Sequence, residues 1–475
     1  MTGGGHSSEG VPIGSPQGPP AGDGRRSMSA AFLALCLLAG MAPHALPSGV
    51  SLLPSLILAL LLGGYSVRTV LLASGDGAAG AVSAPAQPPP IAAAGLPMVE
   101  VVVAARDEEA VIGRLVERVA AIHYPHDRLQ LWVVDDGSVD RTATLLDGFA
   151  LRLPMLQVLH RPRDAGGGKS GALNLVLSQL QGPWMLVLDA DADLQPDVLE
   201  RLIPFAEAGG WAAVQLRKAV VNAEVNLLTR AQAMEMAFDA LIQDGRLAAG
   251  GVAELRGNGQ LLRVEAVRGC GGFHEGTVTD DLDLSLRLLL ADQPIGLLWD
   301  PPVQEEAVLS LAALWRQRQR WAEGGLQRFF DYLPGLLAAR IGPSRRLDLL
   351  CFFALQYVLP VLAVADLIGA LVSRTAPCSW PFSVVALSLS GLAIFKGCRR
   401  PSEGPALPAM SLPMLLLGIA YLIHWFVVIP WVVVRMALLP KRLVWAKTIH
   451  LGEVDGEVDG EDDGEDDGKL AAEVG

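Results

Sequence analysis

Two blocks of apolar sequence flank a stretch in which short apolar runs alternate with helix-period segments, and this segregation limits what the chain can fold into. The first block runs from about Ala30 to Leu46, breaks at Pro43 and Pro47, and resumes from Val50 to Leu72. It is too long for a signal-peptide core and is followed by no clear cleavage site, so a hairpin of two membrane helices over 28–73 fits better. Arg25, Arg26 and Arg68 would hold both of its ends in the cytoplasm. The second block, 347–436, contains segments near Leu347 to Val372, Trp380 to Phe395 and Met410 to Val434. Lys396, Arg399 and Arg400 mark a cytoplasmic loop inside it, and Arg435, Lys441, Arg442 and Lys447 mark its end likewise. Three full crossings would put that last cluster on the wrong side. Either the stretch around Pro413 and Pro430 is a hairpin or partly interfacial, or the positive-inside rule fails here.

Between the blocks, after an Ala-, Gly- and Pro-rich linker at 74–96, a strand followed by a helix recurs. Met98 to Ala104 precedes Ala110 to Ile122, Leu129 to Val134 precedes Thr142 to Leu151, and Trp184 to Leu188 precedes Pro196 to Phe205. Such alternation predicts an α/β domain over 97–308, a mostly parallel sheet with helices on both faces and ligands at the carboxyl ends of its strands. Residues 1–27, rich in Gly, Pro and Ser, read as a disordered leader. A basic juxtamembrane segment at 437–451 gives way to an acidic, unstructured tail at 452–475. The tail carries eleven Asp and Glu against Lys469, so of the net charge of −13 only about −3 belongs to everything else. No nucleic-acid partner is indicated. The five cysteines are scattered and form no CxxC pair, which supports neither a zinc site nor a disulfide framework.

Four short motifs follow one another in this central stretch: VVDDGS (Val133 to Ser138), LDADAD (Leu188 to Asp193), TVTDD (Thr277 to Asp281) and QRQRW (Gln317 to Trp321). Asp135 and Asp136 end a strand at a Gly-Ser turn, where carboxylates reach a base or ribose, although such turns also serve as helix caps. Asp189, Asp191 and Asp193 alternate after a strand, and period-two spacing lets at least two carboxylates converge on one hard cation. That cation would bridge the phosphates of a nucleotide diphosphate and stabilise it as leaving group. Asp280 and Asp281 open a helix, where they would cap it or supply a general base for an acceptor hydroxyl. Gly166 to Asn174 contains Lys169 but lacks P-loop spacing; Lys169 is a candidate phosphate or nucleobase contact and no ATPase follows. Gln317, Arg320 and Trp321 stand at i, i+3, i+4 on an amphipathic segment, 309–332, whose aromatics and arginines suit an interfacial helix on lipid.

In order and type these motifs resemble those of membrane-bound family 2 glycosyltransferases, which share the GT-A fold with cellulose and hyaluronan synthases. The resemblance covers about Pro97 to Phe330. It implies that Glu108 and Asp136 contact uridine and Lys169 the nucleotide, and that Asp189 and Asp191 form the DxD pair working through Mg2+ or Mn2+. Asp281 would be the catalytic base, and Gln317, Arg320 and Trp321 the QxxRW motif at acceptor and diphosphate. The TED-like motif is written Thr279-Asp280-Asp281, which leaves the base in place. Longer matches at Arg256-Gly-Asn-Gly259, Gln317 to Tyr332 and Pro440 to Glu453 resemble the cyanobacterial lipid-glucosylating members of the family. This implies inverting transfer of glucose from UDP-glucose to diacylglycerol at a bilayer. The same motifs would serve a processive polysaccharide synthase or another membrane glycosyltransferase using UDP-sugars, whereas the retained carboxylates argue against a non-catalytic scaffold.

Overall fold

The computed structural model describes residues 23–47, 49–73, 95–337 and 341–439. The leader as far as residue 22, most of the linker, the basic segment from 440 onward and the acidic tail lie outside the described residues. Helix α1 (Asp23–Met41) starts before the apolar block does, because Arg25, inside the expected leader, forms an ion pair with Asp331. After α2 (Leu53–Leu72) come β1 (Val99–Ala105), α3 (Ile112–Ala120), β2 (Leu129–Asp135), α4 (Thr142–Ala150) and β3 (Leu156–His160). Then follow α5 (Gly168–Leu177), β4 (Trp184–Leu188), α6 (Val198–Ala208), β5 (Ala213–Val220), α7 (Leu227–Ala248) and β6 (Gln260–Arg263). The domain closes with α8 (Val264–Gly269), α9 (Asp280–Leu290), β7 (Ile295–Glu305) and the 27-residue α10 (Leu311–Leu337).

The seven strands form one sheet in the order β3-β2-β1-β4-β6-β5-β7, parallel except where β6 runs antiparallel between β4 and β5. Period-two side-chain alternation builds a core on each face. Val99, Val101 and Val103 of β1 pack with α3 and α6, whereas Val102 faces the core that holds α5, α9 and part of α10. Glu100 interrupts the apolar run at no cost in unpaired charge, since its carboxylate accepts the Gln181 and Gly182 amides and the Trp132 indole N–H. Asp135 and Asp189 follow as expected at carboxyl ends of parallel strands.

Below the sheet lie α11 (Pro343–Phe353), a π-helical turn (Ala354–Val358), α12 (Leu359–Ser373), α13 (Trp380–Arg399), α14 (Leu412–Leu422) and α15 (Trp425–Leu438). Five apolar stretches among the described residues are long enough to cross a membrane: Arg25–Ala45, Leu53–Leu72, Pro343–Ser373, Trp380–Arg399 and Leu412–Leu438. The first four run alternately between two ends of a bundle. At the end next to the α/β domain Arg25 meets Asp331, Tyr65 donates to Asp348, Arg68 donates to the Ala249 carbonyl and Arg400 pairs with Asp244. At the other end the Asp366 carboxylate accepts the amides of Cys378 and Ser379 and the Ser379 hydroxyl, and pairs with His44 at 2.9 Å. The fifth stretch breaks at Ile423 and His424. Its beginning packs with Cys398 and Met234, and its end receives Arg26 at the Ala437 carbonyl while Arg435 pairs with Glu323 of α10. Both ends therefore lie on the domain side. The break lies there too, since Tyr421 and Trp425 on either side of it donate to Glu235 of α7, so the stretch runs along the domain, which is the interfacial alternative and not the hairpin. This places Arg435 beside the other basic ends.

The amphipathic segment 309–332 departs from its expected setting. Most of its apolar side chains, Leu314, Leu326, Phe329 and Phe330, are buried within the protein, and only the first turns expose Leu311 and Trp315. The helix is a bracket between domain and bundle, because membrane helices α1 and α15 pack against the face that lipid would otherwise cover.

Domain and bundle are joined by six buried or half-buried charges in balance. Glu254 is wholly buried and accepts from Arg246 of α7 at 3.1 Å and from Arg328 of α10 at 2.5 Å, with Arg256 at 3.6 Å. Arg246 also binds Asp348 of α11 at 2.9 Å, and Arg256 binds Asp239 at 2.9 Å. Replacing Arg246 by Met leaves Asp348 without its guanidinium partner and takes one of three from Glu254, a loss on the order of 3 kcal/mol for a broken buried pair. Thermal unfolding of the detergent-solubilised protein is expected to begin well below the wild-type temperature; an unchanged curve would show that the network holds nothing together.

Candidate active site

A cavity of about 610 Å³ opens at the carboxyl ends of the central strands and continues between α7 and α10 as far as the π-helical turn. Its upper wall carries Glu108 from the loop after β1, Asp189 and Asp191 after β4, Lys218 of β5 and Glu305 at the end of β7. Lys169, Asp280 and Asp281 stand beside them, and Gln317, Arg320 and Trp321 close one side from α10. Thus Glu108, Lys169, Asp189, Asp191, Asp280, Asp281, Gln317, Arg320 and Trp321, all named from sequence, share one space.

Asp135 and Asp136 do not line that space. Asp135 is buried, accepts the Ser138 amide at 3.0 Å and pairs with His160 at 3.0 Å; this is the capping role open to any Asp before a Gly-Ser turn. Asp136 is held by Arg161 at 2.8 Å. Burial pushes its carboxyl up, and the nearby Arg161 and Arg106 limit the rise. Arg161 also donates to the carbonyls of Gly166 and Gly168, so Asp136 fixes the loop that launches Lys169 into the cavity. Ser138 has a similar indirect part, because its hydroxyl accepts the amide of Asp107. Asp107 lines the cavity in a left-handed conformation (φ 56°), pairs with Arg163 at 3.1 Å and was not singled out by spacing. A non-glycine residue held in that region marks a place where the surroundings override local preference.

Lys169 donates to Asp189 and to the Gly257 carbonyl. Burial alone would push Asp189 up, but Lys169, Lys218 and Arg320 outweigh it and hold the carboxyl below its usual range. The backbone amide of Asp189 donates to Asn258, which sits in the Arg256-to-Gly259 loop. Gly257 adopts φ +86°, and a side chain there would stand 3.3 Å from the Asp281 carboxylate. Asp281 is pushed up to about 6, first by burial and then by the adjacent Asp280. Asp280 keeps one buried carboxylate oxygen without a hydrogen-bond donor. Asp193, third of the alternating acids, turns away to Arg118 at 3.1 Å. Two acids of that motif remain for a ligand, and Asp191 accepts the Glu306 amide at 3.3 Å.

On α10, i, i+3, i+4 spacing does put Gln317, Arg320 and Trp321 on one face. The intervening Arg318 points the other way, binds Glu235 at 2.5 Å and stacks 4.0 Å from Trp321, which fixes the indole. Lys218 Nζ stands 5.7 Å from the centre of the Trp321 ring and pairs with Glu305 at 2.7 Å. Lys218, Arg106 and Arg163 add positive charge to the wall, and sequence reading missed them because isolated basic residues carry no spacing signal. The cation-rich wall suits a diphosphate, and hard carboxylate oxygens, one of them unpartnered, suit a divalent metal ion.

A model of glycosyltransferases like family 2 matches residues 97–324. The β-monoglucosyldiacylglycerol synthase of Synechocystis sp. is 46% identical over 360 residues, covering 74% of this chain and 75% of that protein. The enzyme of the same name from Nostoc sp. is 42% identical over 361 residues, covering 75% of this chain and 77% of its own. The chain belongs to glycosyltransferase family 2. Among solved structures, a mannosyltransferase from Pyrobaculum calidifontis in complex with GDP-Man and Mn2+ aligns with a TM-score of 0.48 at 18% identity, over 78% of this chain and 99% of that one.

The glycosyltransferase domain is of the GT-A type, a mixed, mostly parallel sheet with helices on both faces, flanked by apolar helices. Its acidic motifs divide into two groups. Those lining the cavity face the space a ligand would enter, and those behind it set the loops. Gly257→Ala tests how tightly the second group controls the first. The left-handed conformation costs an Ala about 1–2 kcal/mol, and the added methyl presses on Asp281. Turnover is expected to fall at least tenfold with thermal unfolding displaced by only a few degrees; wild-type turnover would mean that this loop leaves Asp281 free to adjust.

Proposed function

We propose that this glycosyltransferase moves glucose from UDP-glucose to 1,2-diacylglycerol with inversion, giving β-monoglucosyldiacylglycerol. One observation carries the reading: a single cavity joins the cation-and-carboxylate cluster to a turn of an apolar, membrane-length helix. A donor nucleotide and a lipid hydroxyl would meet there without either leaving its own phase. The two cyanobacterial relatives, named for the same product, support the choice of sugar and acceptor.

Asp281 takes the proton of the acceptor hydroxyl, and the resulting oxygen attacks the anomeric carbon as the bond to UDP breaks on the opposite face. One displacement inverts the α-linked donor, and the proton remains on Asp281 until it exchanges with water. Asp189 and Asp191 would hold Mg2+ or Mn2+, which supplies charge for the departing diphosphate. Lys169, Lys218 and Arg320 add fixed positive charge in the same wall, while Glu108 reaches the nucleoside end. Asp136 acts on the nucleotide through Arg161 and Lys169. The basic residues Arg25, Arg68, Lys396, Arg400 and Arg435 all gather at the domain end of the bundle, which supports a multi-pass protein with its catalytic domain in the cytoplasm.

Incubating the purified protein with several UDP-sugars and diacylglycerol tests the assignment. UDP-glucose is expected to give one organic-soluble glucolipid; an insoluble polymer would favour the processive synthase instead. Asp281→Asn should abolish transfer while UDP still binds in the presence of metal, and retained turnover would remove the base from Asp281. Because a base must be ionised and Asp281 is pushed up to about 6, activity should be complete above that pH and fall as pH drops through it. Asp280→Asn removes a neighbouring negative charge and so should move the acid limb of any residual activity to lower pH. An acid limb that stays in place would deny the coupling.

A further inference from the structure

Gln356 lies where a long apolar helix departs from α geometry. The stretch Pro343–Ser373 is 31 residues long and apolar enough to cross a membrane, yet Ala354–Val358 within it form a π-helical turn. Such turns are uncommon and concentrate at functional sites, because the extra residue redirects side chains that a regular helix would send elsewhere. Here Gln356 and Tyr357 line the cavity that also holds Asp281. Tyr357 is accounted for by packing: its ring meets Phe329 and Phe353, and its hydroxyl occupies the space a side chain at Gly325 would need.

Gln356 has no such engagement. Among the described residues its amide makes no hydrogen bond, although it offers two donors and an acceptor. A polar side chain in the middle of a membrane-length segment reads by default as functional. The rest of this wall narrows what it can meet. Phe238, Phe352 and Trp425 are aromatic, and the charged Arg328, Asp239 and Glu235 are each neutralised by Glu254, Arg256 and Arg318 at 2.5 to 2.9 Å. A charged lipid group would find no free counter-charge among those three. An uncharged oxygen would find the amide.

We propose that Gln356 is a specificity-determining residue for the acceptor, its amide hydrogen-bonding a hydroxyl or ester oxygen of a neutral glycerolipid while the reacting hydroxyl faces Asp281. This rests on the reading of the chain as a lipid glucosyltransferase. The π-helical turn is then the device that turns one residue of a membrane helix toward the chemistry.

The test uses the full chain in detergent micelles with UDP-glucose and varied 1,2-diacylglycerol. Gln356→Leu keeps the bulk and removes the hydrogen bonds. The KM for diacylglycerol is expected to rise about two- to tenfold, the worth of one net hydrogen bond, with the KM for UDP-glucose and the unfolding temperature unchanged. Gln356→Glu puts a charge on the same wall, and the KM for diacylglycerol should rise by at least as much; this variant decides if Gln356→Leu does not fold. A raised KM for UDP-glucose with a wild-type value for the acceptor would assign Gln356 to the donor and overturn the proposal. So would wild-type values for both substrates in both variants, which would leave the amide to water. Wild-type protein that glucosylates no diacylglycerol refutes the functional reading itself, whereas wild-type turnover indifferent to Gln356 refutes only this residue's role.

Discussion

Glu254 is a carboxylate removed from solvent and surrounded by Arg246, Arg256 and Arg328, which come from α7, the loop before β6, and α10. Burial works against its charge, and the three guanidinium groups outweigh that penalty, so the carboxyl is held well below its usual range. Because Arg246 reaches on to Asp348 and Arg256 to Asp239, the same charge fixes the first membrane-length helix after the domain and the floor of the cavity. The next residue after Arg256 is Gly257, against which Asp281 rests. A buried ion network of this kind adds little net stability over an apolar core but permits few alternative arrangements. The relation between Asp281, the other carboxylates of the cavity and the bundle is set there.

Function then follows from the division of labour among the acids. Asp189, Asp191, Asp280 and Asp281 face the cavity; Asp135, Asp136 and Asp193 are bound to His160, Arg161 and Arg118 behind it. Lys169 stands between the groups, positioned from behind through Arg161 and pairing in front with Asp189. In a low-dielectric pocket, cations already in place would stabilise a departing diphosphate without reorganising.

The sheet was legible because the periods are strong: β1, β2 and β4 are short apolar runs, each followed by a helix-period segment. β6 was not, since its four residues lie in an antiparallel insertion set by pairing with β4 and β5 rather than by local pattern. For the site, spacing identified the residues but not their direction. DDGS and DxD look equally suited to ligands, yet Asp135 and Asp136 are consumed by His160 and Arg161, partners 25 residues away in sequence. The amphipathic stretch of α10 suggested a lipid surface, and its apolar face packs on protein instead, because an apolar stripe does not say which apolar neighbour covers it. The parity of the C-terminal stretches was open in sequence; in the fold the last of them lies against α7 and α10 at Tyr421, Trp425 and Arg435, so Arg435 stays on the domain side without a return crossing.

In the proposed reaction one cavity lets a single base deliver a lipid hydroxyl to a metal-bound nucleotide sugar. Its most direct test is the anomeric configuration of the first product, read by proton NMR from lipid formed by purified protein with UDP-glucose and diacylglycerol. The account predicts a single β-linked glucosyl lipid. An α-linked product would contradict the single displacement at Asp281, and release of free glucose with no lipid product would contradict the shared cavity.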